Sequence, residues 1–287
     1  MQKNTEQNNI IAFQGEPGAY SDLACRTVFP EMTSLPCHTF EGAFAAVIEG
    51  RARYAMIPIE NSVAGRVADI HQLIPHSELH IIGEHFQRIN HHLLAIKGAS
   101  MDSLKVIRSH EQALGQCRGN LLGWGLEPVA YTDTAGAAKL IAEMKDPSVG
   151  AIASSLAGEI YGLESIKKDI EDADHNTTRF VIFSRETLNE VPRDKTTVTS
   201  FIFQVRNVPA ALYKVMGGFA TNGINMTKLE SYQVKGNFVA TQFYADIEGH
   251  PDDEAVKFAF EELKFFTTVF RILGSYPAAP YRLKRKA

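Results

Sequence analysis

Asn176-Thr177-Thr178-Arg179-Phe180 runs directly into the apolar Val181-Ile182-Phe183. This places a permanently charged guanidinium and two adjacent hydroxyls at the mouth of a strand that reads as buried. An unpaired buried charge is costly, so an Arg in such a place calls for an anionic partner. The preceding acidic loop, residues 169–174, is solvated and is not the whole reason. The chemistry implied is capture of a carboxylate-bearing small molecule, with a hydroxyl beside it able to donate a hydrogen bond. The structural alternative is an Arg paired with an Asp or Glu at a strand end.

Three more polar clusters sit at the ends of apolar strands. Gln14-Gly15-Glu16-Pro17-Gly18-Ala19-Tyr20-Ser21 follows Ile10-Ile11-Ala12-Phe13. Glu60-Asn61-Ser62 follows Ile57-Pro58-Ile59, and Ser109-His110-Glu111-Gln112 follows Val106-Ile107. Open α/β sheets bind ligands just beyond the carboxyl ends of their strands. Each cluster alone reads as a helix cap or a turn. Several of them facing one cleft read as a site.

Other chemistries lack their residues. Gly123-Trp124-Gly125 has neither the third glycine nor the preceding strand of a dinucleotide turn. His71, His76, His80, His85, His91 and His92 are dense, but Pro75 and their mixed spacing argue against a metal site. No serine sits in a nucleophile elbow. Cys25, Cys37 and Cys117 have no paired spacing, and an odd count suits reduced thiols in a cytoplasm.

The elements that must position these residues follow a strand–turn–helix–strand pattern, the signature of a largely parallel sheet under helices. Strands are expected at 10–13, 55–59, 92–96, 106–107, 149–153 and 179–183. Helices are expected at 22–28, capped by Ser21, and at 41–49, 112–124, 134–144 and from 155. Two α/β lobes result, lobe one from 10–86 plus 176–187 and lobe two from 90–175, with a cleft between them. A polar linker, 188–195, leads to strand 196–205, helix 209–222, strands 224–232 and 238–247 across a Gly236-Asn237 turn, helix 252–267 and strand 269–276. This βαββαβ order is the split ferredoxin-like module. Residues 1–9 read as a disordered polar tail and 281–287 as a solvated basic tail, Arg282-Leu283-Lys284-Arg285-Lys286.

Composition narrows the class. Of 287 residues, 45% are hydrophobic and 22% charged, the balance of a soluble globular protein. A net charge of −4 lacks the basic face that nucleic acid requires. No apolar run reaches the length of a membrane span, and residues 1–9 lack the apolar core of a secretion signal.

The four motifs, in this order and over roughly residues 10–280, resemble a prephenate dehydratase of the monofunctional kind with a C-terminal ACT domain. Ala19 stands where that family often has Thr, and Glu111 where it often has Pro. The resemblance implies conversion of prephenate to phenylpyruvate without metal or organic cofactor, in a cytoplasmic homodimer or homotetramer. The two-lobed catalytic half would then have a periplasmic-binding-protein-like fold. Thr178 corresponds to the family's threonine, which assists the departing ring hydroxyl, and Arg179 to a carboxylate clamp beside Asn176 and Phe180. Backbone amides of Gly18, Ala19, Tyr20 and Ser21 would hold an anion or the ring hydroxyl, and Asn61, Ser62, Ser109 and Gln112 would be neutral donors. Glu60 would be a protonated acid or a structural cap, and His110 a second candidate acid.

The ACT-like module implies allosteric control by L-phenylalanine. Its two loci correspond to Asn207-Val208-Pro209-Ala210-Ala211-Leu212-Tyr213 and Glu230-Ser231. Ala210 replaces the usual glycine, and Tyr232-Gln233 an Arg-Pro pair. An arogenate dehydratase, or an enzyme accepting both substrates, fits the same motifs. A non-catalytic two-lobed amino-acid sensor would need no acid at position 178.

Overall fold

The computed structural model describes residues 9–188, 190–192, 195–233 and 240–284. The chain divides into two compact units: residues through Val67 with His85–Phe180, and Ala68–Glu84 with residues from Val181 onward.

The chain opens with β1 (Ile10–Gln14), α1 (Tyr20–Val28), β2 (Thr33–Cys37), α2 (Phe40–Ile48), β3 (Tyr54–Asn61), β4 (Gly65–Arg66), α3 (Ile70–Leu73) and β5 (His80–Arg88). There follow β6 (His92–Ala95), β7 (Val106–Ser109), α4 (Glu111–Gln116), α5 (Arg118–Gly123), β8 (Glu127–Ala130), α6 (Thr134–Met144), β9 (Val149–Ala153), α7 (Ser155–Tyr161), β10 (Glu164–Lys167) and β11 (Thr177–Ser184). The first sheet has the order β2-β1-β3-β11-β5, with β4 paired to β3, and β1 runs parallel to β2 and β3. The second has the order β10-β6-β9-β7-β8.

Both central regions are apolar on two faces because helices cover both. In β6, Leu93 and Ala95 join one buried cluster with α4 and α5, while Leu94 joins another with α6 and α7. Alternation across a strand does this. Ala135, Ala137, Ala138, Ala151, Ala153 and Ala157 are fully buried, and such small side chains let α6 and α7 lie close to β9.

Five strands were not expected from the sequence: the two-residue β4, which pairs with β3, and β2, β5, β8 and β10, each the edge of its sheet. Edge strands carry polar residues and tolerate proline, as Pro36 and Pro128 do here. Two helix expectations are also corrected. α1 starts at Tyr20 with Ala19 as N-cap, so Ser21 lies inside the first turn and is not the cap. The helix expected at 112–124 breaks at Cys117 into α4 and α5.

Beyond Val181 the chain forms β12 (Thr197–Val205), α8 (Ala211–Thr221), β13 (Met226–Gln233), β14 (Ala240–Glu248), α9 (Glu254–Phe266), β15 (Thr267–Pro277) and α10 (Pro280–Lys284). The sheet order is β13-β14-β12-β15, all neighbours antiparallel, which is the split ferredoxin-like arrangement. Phe201, Phe203, Phe219, Phe243 and Phe260 fill its core. The Gly236-Asn237 turn lies outside the described residues, as do 1–8 of the expected N-terminal tail.

The expected basic tail is part structured. Arg282 on α10 places Nε 2.6 Å and Nη2 2.9 Å from the carboxylate of Glu84, whose side chain is fully buried. A buried carboxylate needs a cation, and this one draws the chain end into a short helix. Among the described residues no helix is long and apolar enough to cross a membrane.

Candidate active site

β3 and β11 are neighbours in the first sheet, so Asn61 at the end of one faces Thr178 at the start of the other. Asn61 Nδ2 lies 2.9 Å from Thr178 Oγ1 and 2.8 Å from Asn176 Oδ1. Its own Oδ1 accepts the backbone N–H groups of Val63 and Ala64, at 2.9 and 2.8 Å. These two amides fix which end of the Asn61 side chain is the donor. Thr178 Oγ1 is therefore an acceptor from Asn61, and its own hydrogen is left for another partner.

That partner space is a cavity of about 250 Å³ bordered by both sheets' elements. Of the expected residues, Thr178, Phe180, Asn61, Ala19, Tyr20, Ser21, His110 and Gln112 line it. His110 caps α4: its Nδ1 accepts the Gln112 N–H at 3.3 Å. A neutral His110 ring thus carries its hydrogen on Nε2.

Arg179 is placed otherwise. Side chains alternate along a strand, so Thr178 and Phe180 line the cavity and Arg179 does not. Its side chain is 2% exposed, Nη1 lies 3.0 Å from Glu60 Oε1, and the guanidinium sits 6.0 Å from the Phe86 ring centroid. The expectation of a carboxylate clamp is corrected to a structural ion pair, and Glu60 is the anion that Arg179 required.

Four further expected residues stand behind the wall. Ser109 is fully buried and donates to the Ile152 carbonyl at 2.6 Å. Ser62 accepts the Thr177 N–H and donates to the His175 carbonyl, tying the end of β3 to the start of β11. Gly18 has φ +88°, and a Cβ there would lie 2.7 Å from Ala157 Cα. Its glycine permits close approach to α7 instead of an anion contact. Asn176, 1% exposed, donates from Nδ2 to Gln116 Oε1 at 3.0 Å.

Several lining residues were not expected from the sequence, among them His91, Gln116, Asp133 and Thr134, while Gln14 belongs to the first polar cluster. His91 stood inside a histidine-dense stretch read against metal binding. Its position between β5 and β6, where the chain passes from one sheet to the other, was the signal available. Its Nδ1 lies 2.8 Å from the Tyr20 hydroxyl and its Nε2 2.8 Å from Gln116 Oε1. Gln116 carries no comparable signal, being an internal polar residue of the expected helix 112–124 that turns out to end α4.

The sequence profile of the family described as prephenate dehydratase matches residues 11–188. The chain is a member of the prephenate dehydratase family. It is 51% identical to a bifunctional N-acyl-homoserine lactone acylase/prephenate dehydratase of Komagataeibacter europaeus, covering 96% of this chain and 98% of the relative. It is 38% identical to arogenate dehydratase 2 of Petunia hybrida, over 93% of this chain and 71% of that protein. The prephenate dehydratase of Arthrobacter aurescens, solved in complex with L-Phe, superposes with a TM-score of 0.85 at 29% identity, covering 96% of each chain. The chain is accordingly a dehydratase, a carbon–oxygen lyase, on the two-lobed α/β fold.

For a prephenate dehydratase the charge of the cavity is notable: no Lys or Arg is among its lining residues. What it offers an anion is neutral donors and the start of α1, where no side chain caps the first N–H groups. Burial lowers the His91 pKa against the opposing pull of the Gln116 hydrogen bond and the Glu171 charge, which keeps the ring neutral. Burial, with the charges of Cys117 and Glu171, pushes the Tyr20 phenol well above its ordinary value. Tyr20 is a hydroxyl at every physiological pH.

Proposed function

We propose that this chain converts prephenate to phenylpyruvate in the formation of L-phenylalanine. The observation that carries the reading is the Thr178 hydroxyl, held as an acceptor by Asn61 with its hydrogen turned to the cavity. In the reaction the ring C–O bond and the bond to the ring carboxylate both break. The carboxylate leaves as carbon dioxide, its electron pair enters the ring, and the departing hydroxyl takes up one proton and leaves as water. Aromatisation supplies the drive, so the site must orient a dianion and stabilise the leaving oxygen. Thr178 is a weak acid and acts by hydrogen bonding to that oxygen, while His110 Nε2–H is the second donor within the same cavity.

The two carboxylates are held by neutral groups in place of a guanidinium. The N–H groups of Tyr20 and Ser21 at the start of α1 suit one of them, and Gln112 supplies a side-chain donor. Phe180 and Pro58 give the ring an apolar surface.

The βαββαβ module supports regulation by L-phenylalanine between modules of a dimer or tetramer, the effector being the ligand of the Arthrobacter relative. Ala210, in the turn before α8, has φ +61°, a conformation that favours the glycine it replaces. Glu230 on β13 pairs with Lys228 at 3.3 Å, and Ser231 beside it is exposed.

Purified protein incubated separately with prephenate and with arogenate tests the assignment. Phenylpyruvate from prephenate at the higher kcat/KM is expected. Turnover of arogenate alone would make the chain an arogenate dehydratase, the reading favoured by the Petunia relative. The 51% identity to the bifunctional acylase also supports acyl-homoserine lactone cleavage as a second activity. Release of free fatty acid from such a lactone tests that directly.

A further inference from the structure

Asn61, whose orientation is fixed by two backbone amides, imposes a direction on every hydrogen bond beyond it. Its Nδ2 faces Asn176 Oδ1, so Asn176 presents Nδ2 to Gln116. Gln116 therefore presents Oε1, and that oxygen also faces His91 Nε2 at 2.8 Å. An oxygen in this position accepts, so His91 Nε2 must carry a hydrogen. A neutral ring has one such hydrogen, which leaves His91 Nδ1 as an acceptor for the Tyr20 hydroxyl at 2.8 Å. The Asn90 carbonyl, also 2.8 Å from that hydroxyl, is its alternative acceptor.

We infer that His91 is a positioning residue of the dehydratase: as the Nε2–H tautomer it closes the far end of a directed hydrogen-bond chain through Gln116, Asn176 and Asn61, holding in place the side chains behind the Thr178 hydroxyl, and it orients the Tyr20 hydroxyl beside the same cavity. The residues of this chain come from five separate places: α1, the β5–β6 connection, α4, the end of β3 and the start of β11. His91 and Asn176 are 2% and 1% exposed, so a partner lost by either of them leaves a buried polar group. Reversing any one amide would set donor against donor or strip the Val63 and Ala64 amides of their acceptor. The inference rests on the reading of Thr178 as the hydroxyl donor of the reaction.

Nitrogen-15 spectra of the wild-type imidazoles test the tautomer without any substitution. A hydrogen on Nε2 of His91 and none on Nδ1 is expected, and a hydrogen on Nδ1 would overturn the inference. Kinetics test the consequence. His91→Leu should lower kcat on prephenate by roughly tenfold to a hundredfold with KM within about twofold, and His91→Gln, which restores a donor facing Gln116, should recover most of it. Gln116→Leu should match His91→Leu, and the double variant should be no worse than either, since one chain is broken once. Wild-type kcat in both single variants, or losses that multiply in the double, would overturn the inference. Thr178→Val separates the two ideas. Lost turnover there with normal His91→Leu removes the positioning role alone, whereas normal turnover in Thr178→Val removes the reading beneath it.

Discussion

Asn61 donates to the Thr178 hydroxyl across 2.9 Å while its own oxygen is held by the Val63 and Ala64 amides. The geometry converts an ordinary threonine into a hydroxyl with a fixed donor direction. A carboxylate in place of the Asn61 amide would accept that hydrogen and turn it away from the cavity. Asn61→Asp is therefore expected to lower kcat by about a hundredfold with the fold retained, checked by steady-state kinetics on prephenate beside a circular dichroism spectrum. Unchanged kcat would contradict the directional role.

Arg179 and Glu60 should behave as a structural pair. Removing the guanidinium takes away the cation 3.0 Å from Glu60 Oε1, and Glu60 is partly solvated, which softens the loss. Arg179→Met should lower stability by about 3 kcal/mol. Combining it with Glu60→Gln should restore part of that. Urea denaturation of the two variants decides it, and additive losses would rule out the coupling.

These two residues show where sequence reasoning reached and where it stopped. Thr178-Arg179-Phe180 stood out because a charge and hydroxyls preceded an apolar run, and Thr178 lies in the lining of the cavity. The same run also held the reason that Arg179 faces elsewhere, since alternate residues of a strand point to opposite faces. Which of the two faced the cavity depends on which face of β11 is turned towards it, and that is set by the packing of the sheet, not by the strand's own residues. Edge strands were illegible for a related reason: β2 and β8 carry Pro36 and Pro128, are partly solvated, and so lack the apolar pattern that marked β1, β9 and β11. His91 and Gln116 owe their place at the cavity to contacts across 25 residues, which no local pattern records.

Ala210 is the clearest case in which a sequence departure has a visible cost. Its φ of +61° puts a Cβ in the left-handed region. Ala210→Gly should stabilise the protein by about 1 kcal/mol, visible as a rise in Tm by calorimetry. It should also lower the phenylalanine concentration needed for inhibition, and a fall in Tm would show the turn to be unstrained.

Acid stability should report His91 and the half-buried His92. His91 and His92 both have pKa values lowered chiefly by burial, so the unfolded chain takes up protons that the folded chain refuses. Stability is full above the ordinary histidine pKa of about 6.5 and falls as pH drops below it. Tm measured between about pH 7.5 and 5 should decline less steeply in His91→Gln than in the wild type. Parallel curves would mean that the folded protein takes up a proton at His91 as readily as the unfolded chain does.

Turnover of prephenate by Thr178→Val, beside the wild type at saturating substrate, tests the central claim most directly. The valine keeps the shape and removes the hydroxyl. The expected result is a fall in kcat of about a hundredfold or more with KM within about threefold, followed as phenylpyruvate absorbance. A kcat within about threefold of the wild type would show that another group assists the leaving hydroxyl.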